Sequence, residues 1–281
     1  MSQFKTQSKC IVETSDNIAF LNQVPDNSVE LVITSPPYNV GKEYEKKSSL
    51  EEYLKIQEEI IAKCVSKLTN TGSICWQVGN SISKKESEVI PLDIVLHPIF
   101  KKFGLTLKNR VIWQFGHGLH CKNRLSGRHE TVLWFVKDTN NYTFNLDPIR
   151  VPSKYPGKRY YKGKRKGELS GNPLGKNPGD VWTNIPNVKN NHPEKTAHPC
   201  QFPVELIERF ILSLTNKNDI VLDPYLGSGT TVIAALKNGR RGWGCDIEKK
   251  YIDISLERIK LLEMGQLKTR AMNTPIYEPE K

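Results

Sequence analysis

Two periods run through the apolar positions of this chain. Val29-Glu30-Leu31-Val32-Ile33 is a short, β-branched run stopped by Pro36-Pro37, which predicts a buried strand ending in a rigid loop. Downstream, Leu50, Leu54, Ile61 and Val65 recur at helical spacing behind Ser49, and Glu52 three residues on makes a capping-box signature, so a helix is predicted there. Strands are predicted at 73–78, 110–114 and 131–136, each β-branched or aromatic. Beyond residue 200 the pattern predicts a helix from about Pro203 (Val204, Ile207, Phe210, Ile211, Leu214), a strand at 220–222, a helix at 230–237 closed by Gly239, a strand at 242–245 and a helix at 251–264. The tail after Gly265 reads as frayed. Strands alternating with helices imply an α/β fold, a mostly parallel sheet with helices on both faces.

Charge changes the picture between residues 150 and 195. Eleven Lys or Arg stand there against three acidic residues, so this stretch carries +8 of the net +11 of a 281-residue chain. Its densest part runs Lys158-Arg159-Tyr160-Tyr161-Lys162-Gly163-Lys164-Arg165-Lys166, and the twelve Gly or Pro residues of the stretch exclude a regular helix or central strand. Cations interleaved with Tyr suit a nucleic-acid surface; a solvated loop that binds nothing is the other reading. Over the whole chain the composition, 37% hydrophobic and 25% charged, is globular, and the length fits one α/β domain, or one with a sizeable insertion. No apolar run approaches the roughly 20 residues that span a bilayer, and Met1-Ser2-Gln3-Phe4-Lys5 lacks a signal-peptide core, so a cytoplasmic protein without a membrane partner is expected. The six cysteines show no zinc-ligand spacing; they read as reduced and mostly buried, and no metal is expected.

Two loops carry chemistry. The first, Asp223-Pro224-Tyr225-Leu226-Gly227-Ser228-Gly229-Thr230-Thr231, lies between a predicted strand and helix, where glycines let backbone N–H groups approach a ligand. The P-loop Lys is absent, which argues against ATP or GTP. Asp246, 23 residues after Asp223 at the end of the next strand, stands where an acid would accept two ribose hydroxyls, and Asp223 is placed to hold an ammonium group. A ligand with ribose, an amino group and a carboxylate but no phosphate suggests S-adenosylmethionine; an ordinary tight turn is the alternative. In the second loop, Thr34-Ser35-Pro36-Pro37-Tyr38-Asn39, two prolines remove two N–H donors, leaving carbonyls, notably that of Pro36, beside the Ser35 hydroxyl and the Tyr38 ring. Acceptors beside a stacking ring suit an exocyclic amine on a planar base; a polyproline-like turn is the alternative.

Together the loops resemble the bacterial DNA amino-methyltransferases, which methylate cytosine N4 or adenine N6. The resemblance extends over 21–38, Asn123-Arg124, His129-Glu130, 179–182, His198-Pro199, Phe202-Pro203, 223–231 and 241–246, in the β-type motif order with the catalytic loop first. Tyr225 stands for the usual Phe and Asp246 for the usual Glu. The resemblance implies a Rossmann-like S-adenosylmethionine-dependent methyltransferase fold with an irregular, basic target-recognition insertion. It further implies a catalytic half at 1–137, target recognition at 138–196, a cofactor-binding half at 197–265 and a tail at 266–281.

By the same resemblance Ser35, Pro36, Pro37 and Tyr38 are catalytic. Asp16, Thr34, His198, Asp223, Pro224, Leu226, Gly227, Ser228, Gly229, Thr230 and Asp246 hold the cofactor, S-adenosylmethionine. Lys158, Arg159, Lys162, Lys164, Arg165 and Lys166 meet double-stranded DNA. Pro199-Cys200-Gln201 looks like the Pro-Cys loop of C5-cytosine methyltransferases, but it precedes the cofactor loop instead of following it, so Cys200 reads as a packing or pocket-wall residue. Ser at the head of the catalytic loop favours cytosine N4 over adenine N6; an RNA or protein-glutamine methyltransferase of the same fold is a further alternative. A partner restriction endonuclease and the oligomeric state are left open.

Overall fold

The computed structural model describes residues 4–41, 48–83, 88–116, 118 and 120–276. Strand β1 (Cys10–Thr14) leads to helix α1 (Asn17–Gln23), capped by Asp16, whose carboxylate accepts the Ile18 and Ala19 N–H groups at 2.9 and 3.1 Å. Strand β2 (Val29–Thr34) is buried throughout. Helix α2 (Leu50–Lys67) starts at the predicted cap: Ser49 Oγ accepts the Glu52 N–H at 3.1 Å. Next come β3 (Leu68–Val78), the short antiparallel pair β4 (Asn80–Ser83) and β5 (Glu88–Pro91), α3 (Leu92–Lys102), β6 (Thr106–Gln114) and β7 (His129–Val136). A 3-10 turn at Asp147–Ile149 leads into the basic stretch, which holds the two-residue β8 (Val181–Trp182); after it come α4 (Val204–Leu214), β9 (Ile220–Asp223), α5 (Thr230–Lys237), β10 (Arg241–Asp246) and α6 (Lys249–Glu263). Gly239 ends α5 with φ +71°, a conformation that favours glycine.

One eight-stranded sheet has the order β1-β10-β9-β2-β3-β7-β6-β8, parallel except where β7 pairs with β3 and β6. Alternation along β2 shows why both faces are covered. Leu31 and Ile33 pack with Leu206, Ile211, Val232 and Ile259 of α4, α5 and α6, whereas Val32 points oppositely, toward Phe20, Ile61 and Leu96 of α1, α2 and α3. Each such fully buried aliphatic side chain contributes about 1.5–3 kcal/mol of transfer free energy.

The structure adds β1, α1, α3 and the β4–β5 pair to the elements the pattern predicts. β1 is an edge strand of mixed exposure, α1 is under two turns long, and α3 carries Pro98 in its interior, so none shows a clean period. The tail corrects a prediction. Rather than fraying, 266–276 lies along α4: the Arg270 guanidinium pairs with Glu205, the Arg270 N–H donates to Glu194 Oε1 at 3.0 Å, and the Asn273 N–H donates to Glu205 Oε1 at 2.8 Å. A fully buried carboxylate on α4 requires such partners, and they come from some 65 residues away. Of the six free cysteines only Cys64, Cys75 and Cys245 are buried; Cys10 and Cys121 are half-buried and Cys200 is exposed. Among the described residues no helix is long and apolar enough to cross a membrane.

Candidate active site

Strands β2 and β9 are neighbours, with Leu31 beside Val221 and Val32 beside Leu222, and the connections leave them in opposite directions, β2 toward β3 and β9 toward β10. This is a topological switch point, where loops diverge and open a crevice at the carboxyl ends of the strands. The Pro-Pro-Tyr loop follows β2 and the glycine loop follows β9, so segments almost two hundred residues apart meet there. Asp223 ties them together: Oδ1 accepts the Thr34 hydroxyl at 2.5 Å and the Tyr225 N–H at 3.0 Å, and Oδ2 accepts the Thr231 hydroxyl at 2.6 Å. Full burial drives the Asp223 carboxyl up to about 6, while the three donors and the nearby Asp246 modulate that rise.

A cavity of about 630 Å³ fills the crevice. At one end its walls are Ser15, Asp16 and Asn17, the run Pro224 to Ser228, Thr230, Asp246 and His198. Asp246 accepts the Gly227 N–H through Oδ2 and the Glu248 N–H through Oδ1, both at 2.9 Å; its burial raises its pKa. Gly227 has φ +53°, and a Cβ there would lie 2.9 Å from His198 Nε2. Asp223, Thr34 and Gly229 stand behind this wall. The assignment of Asp223 as an ammonium ligand is therefore corrected: its oxygens are engaged inside the protein and hold the two loops in register. Gly229, at φ +80°, caps α5 and is packed against Ser255.

The other end is walled by Ser35, Pro36, Pro37 and Tyr38, with Gln77 of β3, Trp113 of β6, Phe115 and Glu130 of β7. Ser35 Oγ lies 3.0 Å from the Tyr38 hydroxyl, which donates to Glu130 Oε2 at 3.0 Å; Gln77 Nε2 donates to the same oxygen at 2.7 Å. Burial and the Glu130 charge hold the Tyr38 phenol well above its ordinary pKa. The ring lies against Gly79, where a Cβ would come within 3.1 Å. Asn39 ends the loop at φ +55° and clamps Ser48: its Nδ2 donates to the Ser48 carbonyl at 3.0 Å and its Oδ1 accepts the Ser48 N–H at 2.8 Å. Among the described residues no donor reaches the Pro36 carbonyl.

Gln77 and Glu130 had no role in the sequence reading. The available signal was a Gln between Trp76 and Val78 in the otherwise apolar run 74–78, where a buried polar group needs a reason. Cys200, on the cavity wall, donates its N–H to His198 Nδ1 at 3.2 Å. The six basic residues lie outside the cavity, on an exposed excursion crossed by an Arg159–Leu169 bridge. Arg159 donates to the Gly167 carbonyl at 2.5 Å, and Arg165 pairs with Glu168 at 2.8 Å while its guanidinium lies 4.6 Å from the Tyr160 ring centroid. Lys158, Lys162, Lys164 and Lys166 are exposed and form no ion pair among the described residues. The far end of the same stretch, Asn187 to Lys189, reaches the cavity wall.

A mostly parallel sheet with a glycine loop and an acidic strand end facing one cavity at the switch point is the Rossmann-like architecture expected of an S-adenosylmethionine-dependent methyltransferase. The cavity lies within the roughly 300–1,000 Å³ typical of small-molecule sites. Asp16, Asp246 and the cradle at Gly227, which a Cβ would fill, fit this cofactor. The family described as DNA methylase, the N6/N4 amino-methyltransferases, matches residues 29–257, and the chain belongs to it. The type II methyltransferase M.BglII of Bacillus subtilis is 51% identical over 91% of this chain and 70% of its own length. The DNA adenine methyltransferase YhdJ of Escherichia coli (strain K12) is 34% identical over 92% and 85%. Among solved structures, the PvuII DNA methyltransferase (cytosine-N4-specific) has a TM-score of 0.71 at 21% identity over 95% of both chains. The M1.HpyAVI complex with S-adenosylmethionine has a TM-score of 0.60 at 23% identity, over 90% of this chain and all of that one. These two likenesses show the fold.

Proposed function

We propose that this DNA methyltransferase is sequence-specific and transfers the methyl group of S-adenosylmethionine to the exocyclic amine of an extrahelical base in double-stranded DNA, with cytosine N4 as the target. The observation that carries this reading is the pairing, across one cavity, of two acceptors and an aromatic ring with the glycine loop. Asp16, Asp246 and the cradle at Gly227 would hold the cofactor, which would supply an electrophilic methyl group on a sulfonium. The amine's lone pair is delocalised into the base, so it must be drawn out of the ring plane to react. Ser35 Oγ and the Pro36 carbonyl accept hydrogen bonds from the two amino N–H groups and localise that pair, Tyr38 stacks on the extruded base, and the nitrogen, cationic once it has gained the methyl group, releases one proton. Rigid prolines hold both acceptors before the reaction begins, so the chain contributes positioning and fixed dipoles.

Ser35 as a neutral hydroxyl favours cytosine, whereas the 34% identity to a relative named as an adenine methyltransferase keeps adenine N6 as the second reading. Incubation with labelled S-adenosylmethionine and mixed-sequence DNA, followed by mass spectrometry of the nucleosides, decides. N4-methylcytosine is expected, N6-methyladenine would move the target, and label in RNA or protein but not DNA would refute the reading. A cognate restriction endonuclease blocked by this methylation belongs to the same proposal, as do target recognition by 138–196 and cofactor binding by 197–265.

Two variants test cofactor binding and DNA binding separately. Gly227→Ala places a side chain at positive φ, costing about 1 kcal/mol, and pushes on His198; the Kd for S-adenosylmethionine is expected to rise about tenfold in calorimetry, with DNA affinity unchanged. Neutralising Lys162, Lys164 and Lys166 together should weaken binding to all DNA sequences and lower the slope of log K against log salt by about 0.9 per lost phosphate contact. An unchanged slope would make this segment a solvated loop.

A further inference from the structure

We infer that Glu130 is a positioning residue for methyl transfer: acting through the Tyr38 hydroxyl, it fixes the direction of the Ser35 hydroxyl so that Ser35 meets the target amine only as an acceptor. The inference rests on the proposed role of Ser35 as the acceptor of an amino proton. A carboxylate accepts hydrogen bonds and a phenol has one proton to give. Tyr38 gives it to Glu130 Oε2, at 3.0 Å. In the 3.0 Å contact between Ser35 Oγ and the Tyr38 hydroxyl, Ser35 must then be the donor. Its only hydrogen is thereby committed, and lone pairs are what it can offer to the cavity.

The direction matters chemically. A free serine hydroxyl could turn its hydrogen onto the amine nitrogen and occupy the lone pair that has to attack. Held by Tyr38, it cannot, and a chain of hydrogen bonds ending on a charge strengthens each acceptor along it. The surroundings support the arrangement. Gln77 Nε2 donates to the same Glu130 oxygen at 2.7 Å and comes from the strand paired with β7, where Gln77 stands opposite Val132. Burial keeps the phenol protonated. The bland alternative is that Glu130 merely anchors the Tyr38 ring.

Single-turnover methyl transfer at saturating cofactor and DNA separates the two. Glu130→Leu, which removes the acceptor, is expected to slow transfer about tenfold, the share of one charge-assisted hydrogen bond, with cofactor and DNA Kd values unchanged. Glu130→Gln, whose amide oxygen still accepts, recovers part of the rate. In a Tyr38→Phe background, which keeps the ring, Glu130→Leu has no further effect. A Glu130→Leu loss that persists undiminished in that background overturns the inference. If Glu130→Leu does not fold, Tyr38→Phe is measured with and without Ser35→Ala: the hydroxyl's contribution vanishes when Ser35 is absent, and an undiminished Tyr38→Phe loss there overturns the inference equally. A wild-type enzyme that methylates no DNA would instead refute the functional reading itself.

Discussion

Tyr38→Ala is expected to slow methyl transfer about 100-fold, because base–aromatic stacking contributes about 1–3 kcal/mol and the ring and hydroxyl are lost together. The ring fills the space above Gly79 and its hydroxyl joins Ser35 to Glu130, so the substitution empties the far end of the cavity without touching the Gly227 end. Cofactor affinity should therefore stay within about threefold, since the groups assigned to hold it are unaltered. Pro36→Ala keeps the carbonyl and loses only rigidity, and its effect is expected to have the same sign and a smaller size. Rapid-quench measurement of a single turnover, paired with calorimetric cofactor titration, checks this. A fall in cofactor affinity as large as the fall in rate would reverse the roles assigned to the two ends.

Removing the Asp223 carboxylate should act on both ends at once. Asp223→Ala leaves the Thr34 and Thr231 hydroxyls and the Tyr225 N–H without their acceptor, and each buried donor so stranded costs about 1–3 kcal/mol. A loss of at least about 3 kcal/mol, or roughly 10 °C in melting temperature, is expected, together with loss of detectable cofactor binding as the loops part. The deficit depends on pH with a definite sign. The folded-state pKa of Asp223, about 6, lies above that of an ordinary carboxyl, so the folded protein holds this proton more tightly than the unfolded chain. The stability that Asp223 contributes is full below the unfolded value and is lost as pH rises toward the folded one. The melting-temperature gap between wild type and Asp223→Ala should be wider at pH 4.5 than at pH 7. A gap that widens on going to pH 7 would show that the carboxylate is not confined as described.

Much of this was legible along the chain because the relevant physics is local. Prolines at 36 and 37 fix their own backbone, glycines at 227 and 229 permit their own positive φ, Ser49 caps the helix beside it, and the buried strands show as mostly apolar runs. The crowding of cations between 150 and 195 is likewise a property of neighbours in sequence. Illegible elements had weak local signals, as with the edge strand β1 and the short helix α1, or depended on distant partners, as with the tail that Glu194 and Glu205 hold to α4.

By itself, then, the chain determined two loop motifs, their order, and a family resemblance that the family match bears out. Only the tertiary structure decided which acid faces the ligand space. Asp246 stands on the cavity wall and Asp223 lies beneath it, although both are aspartates at strand ends. It also brought Gln77 and Glu130, on separate strands, to the Tyr38 hydroxyl. The reason is physical: a side chain's type sets the bonds it can make, but its partners are set by strand order and register, which sum weak contacts over the whole sheet.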